Sequence, residues 1–286
     1  MGINSSSMLV DLNISVWTAN KVDRAATDTV TSGNNAVRDA GQFKKNLMAG
    51  TNKRKAIADF SAGIRSWHNS RTLPWADKGS RLLPTSLFLD YKAEIDERKT
   101  KFDQMVKEFL GLYPTLVNEA ALSLGTLFNA GDYPATYDVA SKFGVRLVFS
   151  PVPDAGDFRL DIAEDDLKEL RSGYESSFNE RLSDAMKAPW NQLHTMLTAM
   201  SAKLTDEVVG DTETKRRYHD TLITNAQDMC QMLTHLNVTK DPELERARKL
   251  LERTLVGVDI EDIKASPEVR SDVKDKLDTI LKDFSW

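Results

Sequence analysis

Hydrophobic positions in this chain recur mostly at spacings of three and four, the signature of helices with one apolar face. Ile57, Phe60, Ile64 and Trp67 mark a helix over 53–69. A longer helix is expected over 86–112, with Ser86 as its N-cap and Leu89, Ile95, Phe102, Met105, Val106 and Phe109 as its stripe. Gly111 and Pro114 punctuate its end, and another helix follows over 114–129. Further on, Leu167, Leu170, Tyr174, Phe178 and Leu182 form a stripe that Pro189 should kink or break. Trp190, Leu193, Leu197, Met200 and Leu204 then match Leu222, Ala226, Met229, Leu233 and Leu236 across a polar turn near 205–213. Two such seams predict an antiparallel helical hairpin over 190–236, with arms of about 25 residues and nearly 40 Å. Asp241-Pro242 and Ser266-Pro267 each place a capping side chain before a proline suited to the first helical position. The last helix carries Val273, Leu277, Ile280 and Phe284, and Trp286 is expected to dock.

Strict alternation appears in three places. Residues 8–17 put Met8, Val10, Leu12, Ile14 and Val16 on one face, and 145–149 and 158–162 are also strand-like. The last two are expected to pair, with the first strand added as an edge. Residues 18–52 read as one or two weak helices with polar connections, and 134–144 as a short helix between Pro134 and Gly144. Asp161 and Glu164 have the spacing of a capping box. Residues 72–86, TLPWADKGSRLLPTS, read as a rigid irregular loop, pinned by Trp75, Leu82 and Leu83, with Lys78 and Arg81 facing a partner. The fold class is therefore mainly α: a helical bundle with a long antiparallel helical hairpin and a small antiparallel β-sheet. The expected division is 1–162, a mixed α+β region with a basic segment at 38–81, and 163–286, a helical region.

Charge changes this picture by dividing it. The net charge is −5 over 286 residues, but residues 1–82 hold 12 Lys and Arg against 6 Asp and Glu. Lys44, Lys45, Lys53, Arg54, Lys55, Arg71, Lys78 and Arg81, with Trp67 and Trp75 interleaved, have the composition of a single-stranded nucleic-acid groove. Lys44, Lys45, Lys53, Arg54, Lys55, Arg71, Trp75, Lys78 and Arg81 are the candidate partner or nucleic-acid residues. A single cysteine, Cys230, fits a reducing compartment, and no apolar run reaches the roughly 18 residues of a membrane span. The expected location is the cytoplasm, without membrane contact.

Chemical motifs are sparse. Phosphate-binding loops, H-E-x-x-H and paired C-x-x-C are absent. ALSLG at 121–125 lies within a helical stripe and has Ala121 where a nucleophile elbow has glycine. His194, His219, His235 and Cys230 fall near the hairpin, but Cys230 and His235 are five residues apart and do not share a helix face. They read as surface histidines and a small buried thiol. No catalytic residue, metal or cofactor is expected.

Trp75, Gly79, Arg81, Leu83 and Pro84, followed by a long helix, resemble a pattern in a phage and bacterial family, the domain-of-unknown-function family thirty-one-fifty. YPATYDVASKFGVRLVFSPVP and the N-terminal strand ending in Trp17 are similar to the same family. The resemblance spans most of the chain and carries no catalytic residues. Members are often encoded near MoxR-type AAA ATPases and von Willebrand factor A-domain proteins. It implies a non-enzymatic oligomeric adaptor of phage or bacterial cytoplasm, in host cytoplasm where phage-encoded, and a partner of an AAA ATPase. The alternative is a single-stranded DNA-binding accessory factor of phage replication or recombination.

Overall fold

The computed structural model describes residues 3–76, 79–153, 164–204, 218–219 and 221–286. In chain order the described elements are α1 (Ile3–Ser6), β1 (Ser7–Ser15), β2 (Asn20–Val22), α2 (Arg24–Gly33), β3 (Lys44–Asn46), α3 (Lys53–Arg71), β4 (Leu73–Pro74) and β5 (Arg81–Pro84). They continue with α4 (Phe88–Leu124), α5 (Thr136–Ala140), β6 (Gly144–Pro151), α6 (Glu164–Leu204), α7 (Thr221–Leu236), α8 (Pro242–Leu255), α9 (Ile260–Ala265) and α10 (Pro267–Asp283). The fold is mainly α with a small antiparallel sheet. Two compact units interleave along the chain. The first comprises Met1–Val10, Asn69–Leu89 and Phe149–Trp286, the second Asp11–His68 and Asp90–Val148. The boundary expected at 162/163 lies outside the described residues.

The first unit is a helical bundle with strands. Leu193, Leu197, Met200 and Leu204 of α6 are buried, as are Leu222, Ala226, Leu233 and Leu236 of α7, so the two seams read from spacing are both core. The helices of this hairpin are unequal. α6 has 41 residues, passes through Pro189 without a break, and packs most extensively on α10, while α7 has 16 and packs on α8. The hairpin is thus one side of a bundle rather than a free-standing arm. Local signals set the helix starts: Asp241 accepts from the amides of Glu243 and Leu244 at the head of α8, and Ser266 accepts from Val269 at the head of α10. A capping box between Asp259 and Asp262 opens α9, which the sequence pattern did not mark. Val273, Leu277, Ile280 and Phe284 are buried, and Ser201 Oγ meets Asp278 Oδ1 at 2.5 Å between α6 and α10. Trp286 docks, with its ring 5.4 Å from Trp190 and 5.0 Å from His194.

The stretch expected as an irregular loop is a β-hairpin. Leu73 pairs with Leu82 and Pro74 with Arg81, and β5 continues onto β1 through Ser7–Pro84, Met8–Leu83, Leu9–Leu82 and Val10–Arg81. Strand order is β4-β5-β1-β6, so β1 is interior rather than an edge. That position explains why Leu9 and Val10 are both buried and why alternation alone misjudged the strand. Pro74 and Pro151 sit on the two edge strands, the places in a sheet where proline is tolerated. The strand expected at 158–162 and the cap at Asp161 lie outside the described residues.

In the second unit, α4 does not stop near Gly111. It runs 37 residues through Pro114 and starts after a short 3-10 turn, so Ser86 is not its cap; Ser86 Oγ lies 3.0 Å from His235 Nδ1 in the first unit. Pro114 is exposed, so the carbonyl it leaves unpaired can be hydrated. The buried stripe is Tyr91, Ile95, Phe102, Phe109, Tyr113, Leu116 and Ala120, whereas Leu89 is exposed. α3 spans the expected helix, but its buried line is Ile57, Ser61, Ile64 and His68, with Phe60 and Trp67 flanking it half-buried. β2 and β3 form a second antiparallel pair where polar connections were expected.

Candidate functional site

Five of the expected basic residues fall in the second unit, and most serve the fold. β3 points Lys45 inward, with its Nζ 2.9 Å from Asp23 Oδ2, 2.7 Å from Asp132 Oδ2 and 2.8 Å from the Leu127 carbonyl. Its side chain is only 4% exposed. Hydrogen bonds to Asp132 and then Asp23 raise the Lys45 pKa above 10.5, and the Ala26 amide followed by Lys45 lowers that of Asp23 below 3.8. Arg54 donates to the Trp17 carbonyl at 3.3 Å, and Lys55 pairs with Asp59 at 2.5 Å one turn along α3. Lys44 and Lys53 are exposed and carry no ion pair among the described residues. Trp67 is stacked on Tyr91 at 4.9 Å with Arg98 over its ring, so it presents no free face for a base.

The other expected residues fall in the first unit. Trp75 is 6% exposed and meets Phe178 edge-on at 5.2 Å, so it pins the hairpin and does not stack on a ligand. Leu82 and Leu83 are fully buried beside it. Arg81 Nε donates to Thr72 Oγ1 at 2.6 Å, and its Nη2 to the carbonyls of Thr72 and Asn69. Arg71 lies 3.7 Å from Met232 Sδ. Lys78 lies outside the described residues. The basic front is therefore divided between two units, and Lys45, Arg54 and Arg81 within it are occupied by partners of the fold.

His68 of α3 is not singled out by its spacing. It is buried, with Nδ1 2.7 Å from the Tyr91 hydroxyl. Cys230 is buried as expected, and burial pushes its thiol up to about 11, away from the thiolate that reacts or binds metal. Among the described residues no group of three or more His, Cys, Asp and Glu could hold a metal ion. No described helix is long and apolar enough to cross a membrane.

Two features of the first unit remain open to partners. In the first half of α6, Leu167, Tyr174, Phe178 and Leu182 are only half-buried and Leu170 is 43% exposed, unlike the seam residues after Pro189. Tyr174 is held by its hydroxyl, which donates to the Pro153 carbonyl at 2.7 Å, and its ring contacts Phe178. The second feature is a groove of about 790 Å³ between α6 and α7, floored by Met196, Met200, Leu222 and Met229. Lys203, Tyr218 and His219 also line it among the described residues. Spacing identified Met200, Leu222 and Met229 as seam residues. It missed Met196, which stands one position beside the seam.

No family model matches this chain, and neither a curated protein nor a solved structure matches it.

Proposed function

We propose that this chain is a non-enzymatic, self-associating interaction protein, an adaptor whose α6 stripe is covered by a second copy. The observation that carries the reading is the contrast within one helix. The stripe after Pro189 is sealed by the bundle, whereas the same apolar periodicity before it ends half in water, with Leu170 43% exposed. An apolar face left this open costs free energy in an isolated chain and is recovered when a like surface covers it. The resemblance to the family encoded beside MoxR-type AAA ATPases supports an ATPase as the further partner and a phage or bacterial cytoplasm as the setting.

Sedimentation velocity over a range of concentrations tests self-association. The expected result is a species heavier than the 32.0 kDa chain, present at low and high salt alike, because apolar contacts are not screened. Leu167→Glu with Leu170→Glu should return it to the monomer without loss of helical signal. A wild-type monomer at every concentration would sink the reading. The second reading, single-stranded DNA binding, rests on the exposed Lys44 and Lys53; it predicts oligonucleotide binding that weakens steeply with salt.

A further inference from the structure

We propose that the cavity between β2, α2 and the turn at 38–42 is a binding site for a free α-amino acid, held as its zwitterion. It is built entirely within the second unit, every residue of which is described. Its volume of about 440 Å³ lies in the range of small-molecule sites, roughly 300–1,000 Å³. Two cross-links fix its walls. The Arg38 guanidinium meets both carboxylate oxygens of Asp28, at 2.9 and 3.2 Å, and ties the turn to α2. Thr27 Oγ1 donates to the Asp23 carbonyl at 2.6 Å and accepts from the Phe43 amide at 3.0 Å, which ties the chain entering β3 to the same helix. The space is therefore set by the fold before a ligand arrives.

The charges left over select the ligand. Arg24 and Asp28 stand one turn apart on α2, a spacing at which opposite charges are neighbours. Arg38 occupies Asp28, so the Arg24 side chain lines the cavity without a hydrogen bond or ion pair among the described residues. Asp39, beside Arg38 in the turn, lines it in the same condition, and the two do not meet each other. The charged lining groups, Arg24, Arg38, Asp28 and Asp39, sum to zero, so the cavity as a whole favours neither an anion nor a cation. One ligand carrying both signs satisfies the unpaired cation and the unpaired anion together. Its carboxylate meets the planar fork of Arg24, and its ammonium meets Asp39. Val22 is 40% exposed in the same lining and offers an aliphatic side chain a surface to cover. None of these residues belongs to the 167–182 stripe, so the inference stands apart from self-association.

The test uses the full chain labelled at its valine methyls, near neutral pH, with three probes. They are L-leucine, isocaproate, which lacks only the ammonium, and isoamylamine, which lacks only the carboxylate. L-Leucine should shift the Val22 methyl signals to saturation and leave those of buried Val273 in the first unit in place. Each single-charge probe should bind about five- to tenfold more weakly, the size of one charge-assisted contact partly open to water. Arg24→Gln should weaken L-leucine and isocaproate by that factor and leave isoamylamine unchanged. Asp39→Asn should weaken L-leucine and isoamylamine and leave isocaproate unchanged. Both variants should keep the far-ultraviolet circular dichroism of the parent, since neither side chain holds another part of the fold. Equal response to the three probes, or a variant that weakens all of them alike, would overturn the zwitterion assignment. Absence of a saturable Val22 shift with L-leucine would overturn the site.

Discussion

Lys45 comes from KKNLMAGTNKRK, a stretch whose composition describes a basic surface, yet its ammonium is enclosed by Asp23, Asp132 and the Leu127 carbonyl. Lys45→Met would leave two carboxylates facing each other. The expected loss of stability near neutral pH is about 2 kcal/mol, below that of a dry ion pair because the carboxylate side chains keep 15% and 13% of their exposure. The sign of the pH dependence follows from the shifts. Asp23 is lowered, so its share is present above its ordinary 3.8 and disappears as pH falls through its lower folded value. Lys45 is raised, so its share is complete below 10.5 and disappears as pH rises through its higher folded value. Urea unfolding of both proteins should therefore show the largest difference on the plateau between these limits, shrinking in acid. A difference independent of pH would assign the cost to packing alone. Composition identified where cations are but not which ones are buried, because Asp132 lies 87 residues away in sequence and only the fold brings it to Lys45.

Helix starts were readable for the opposite reason. Asp241-Pro242 and Ser266-Pro267 are satisfied by amides within three residues, so nothing distant decides them. The ends were not readable where proline was taken as a stop. α4 and α6 both continue through proline, since packing over a long face outweighs one lost backbone bond. The strands β4 and β5 have two and four residues, and their identity depends on the pairing of Leu73 with Leu82 and of Leu83 with Met8, which no local pattern records. Pro114 offers a clean measurement, since it lies on the exposed side of α4 and supports no packing. Pro114→Ala restores the amide donor to the Leu110 carbonyl and removes a ring clash with it. Stabilisation of up to about 3 kcal/mol is expected, read as a higher thermal midpoint. A lower midpoint would mean that Pro114 itself is required by the helix's packing.

The chain passes between its two units at 10/11, 68/69, 89/90 and 148/149, so neither unit is a continuous stretch of sequence. Charge along the chain suggests a basic front over 1–82, and the pattern of elements a boundary near residue 162; both are read along the chain, while compactness is a matter of contacts. Separation at 162/163 would divide the first unit: β1, β4 and β5 would remain in one fragment and α6–α10 in the other. Trp75 would lose Phe178, β4 would lose its contacts with α6, and the buried faces of Leu73, Leu82 and Leu83 would lose the helices of their own unit. Newly exposed apolar strands with an open edge favour aggregation. Residues 1–162 expressed alone should therefore be largely insoluble, and co-expression with 163–286 should return both fragments to solution as one complex. The measurement is the soluble yield of 1–162 with and without its counterpart, followed by size-exclusion chromatography of the pair. A soluble 1–162 that unfolds cooperatively by itself would show that the first ten residues and the β4–β5 hairpin do not depend on the helices, and that the interleaving is not energetically binding.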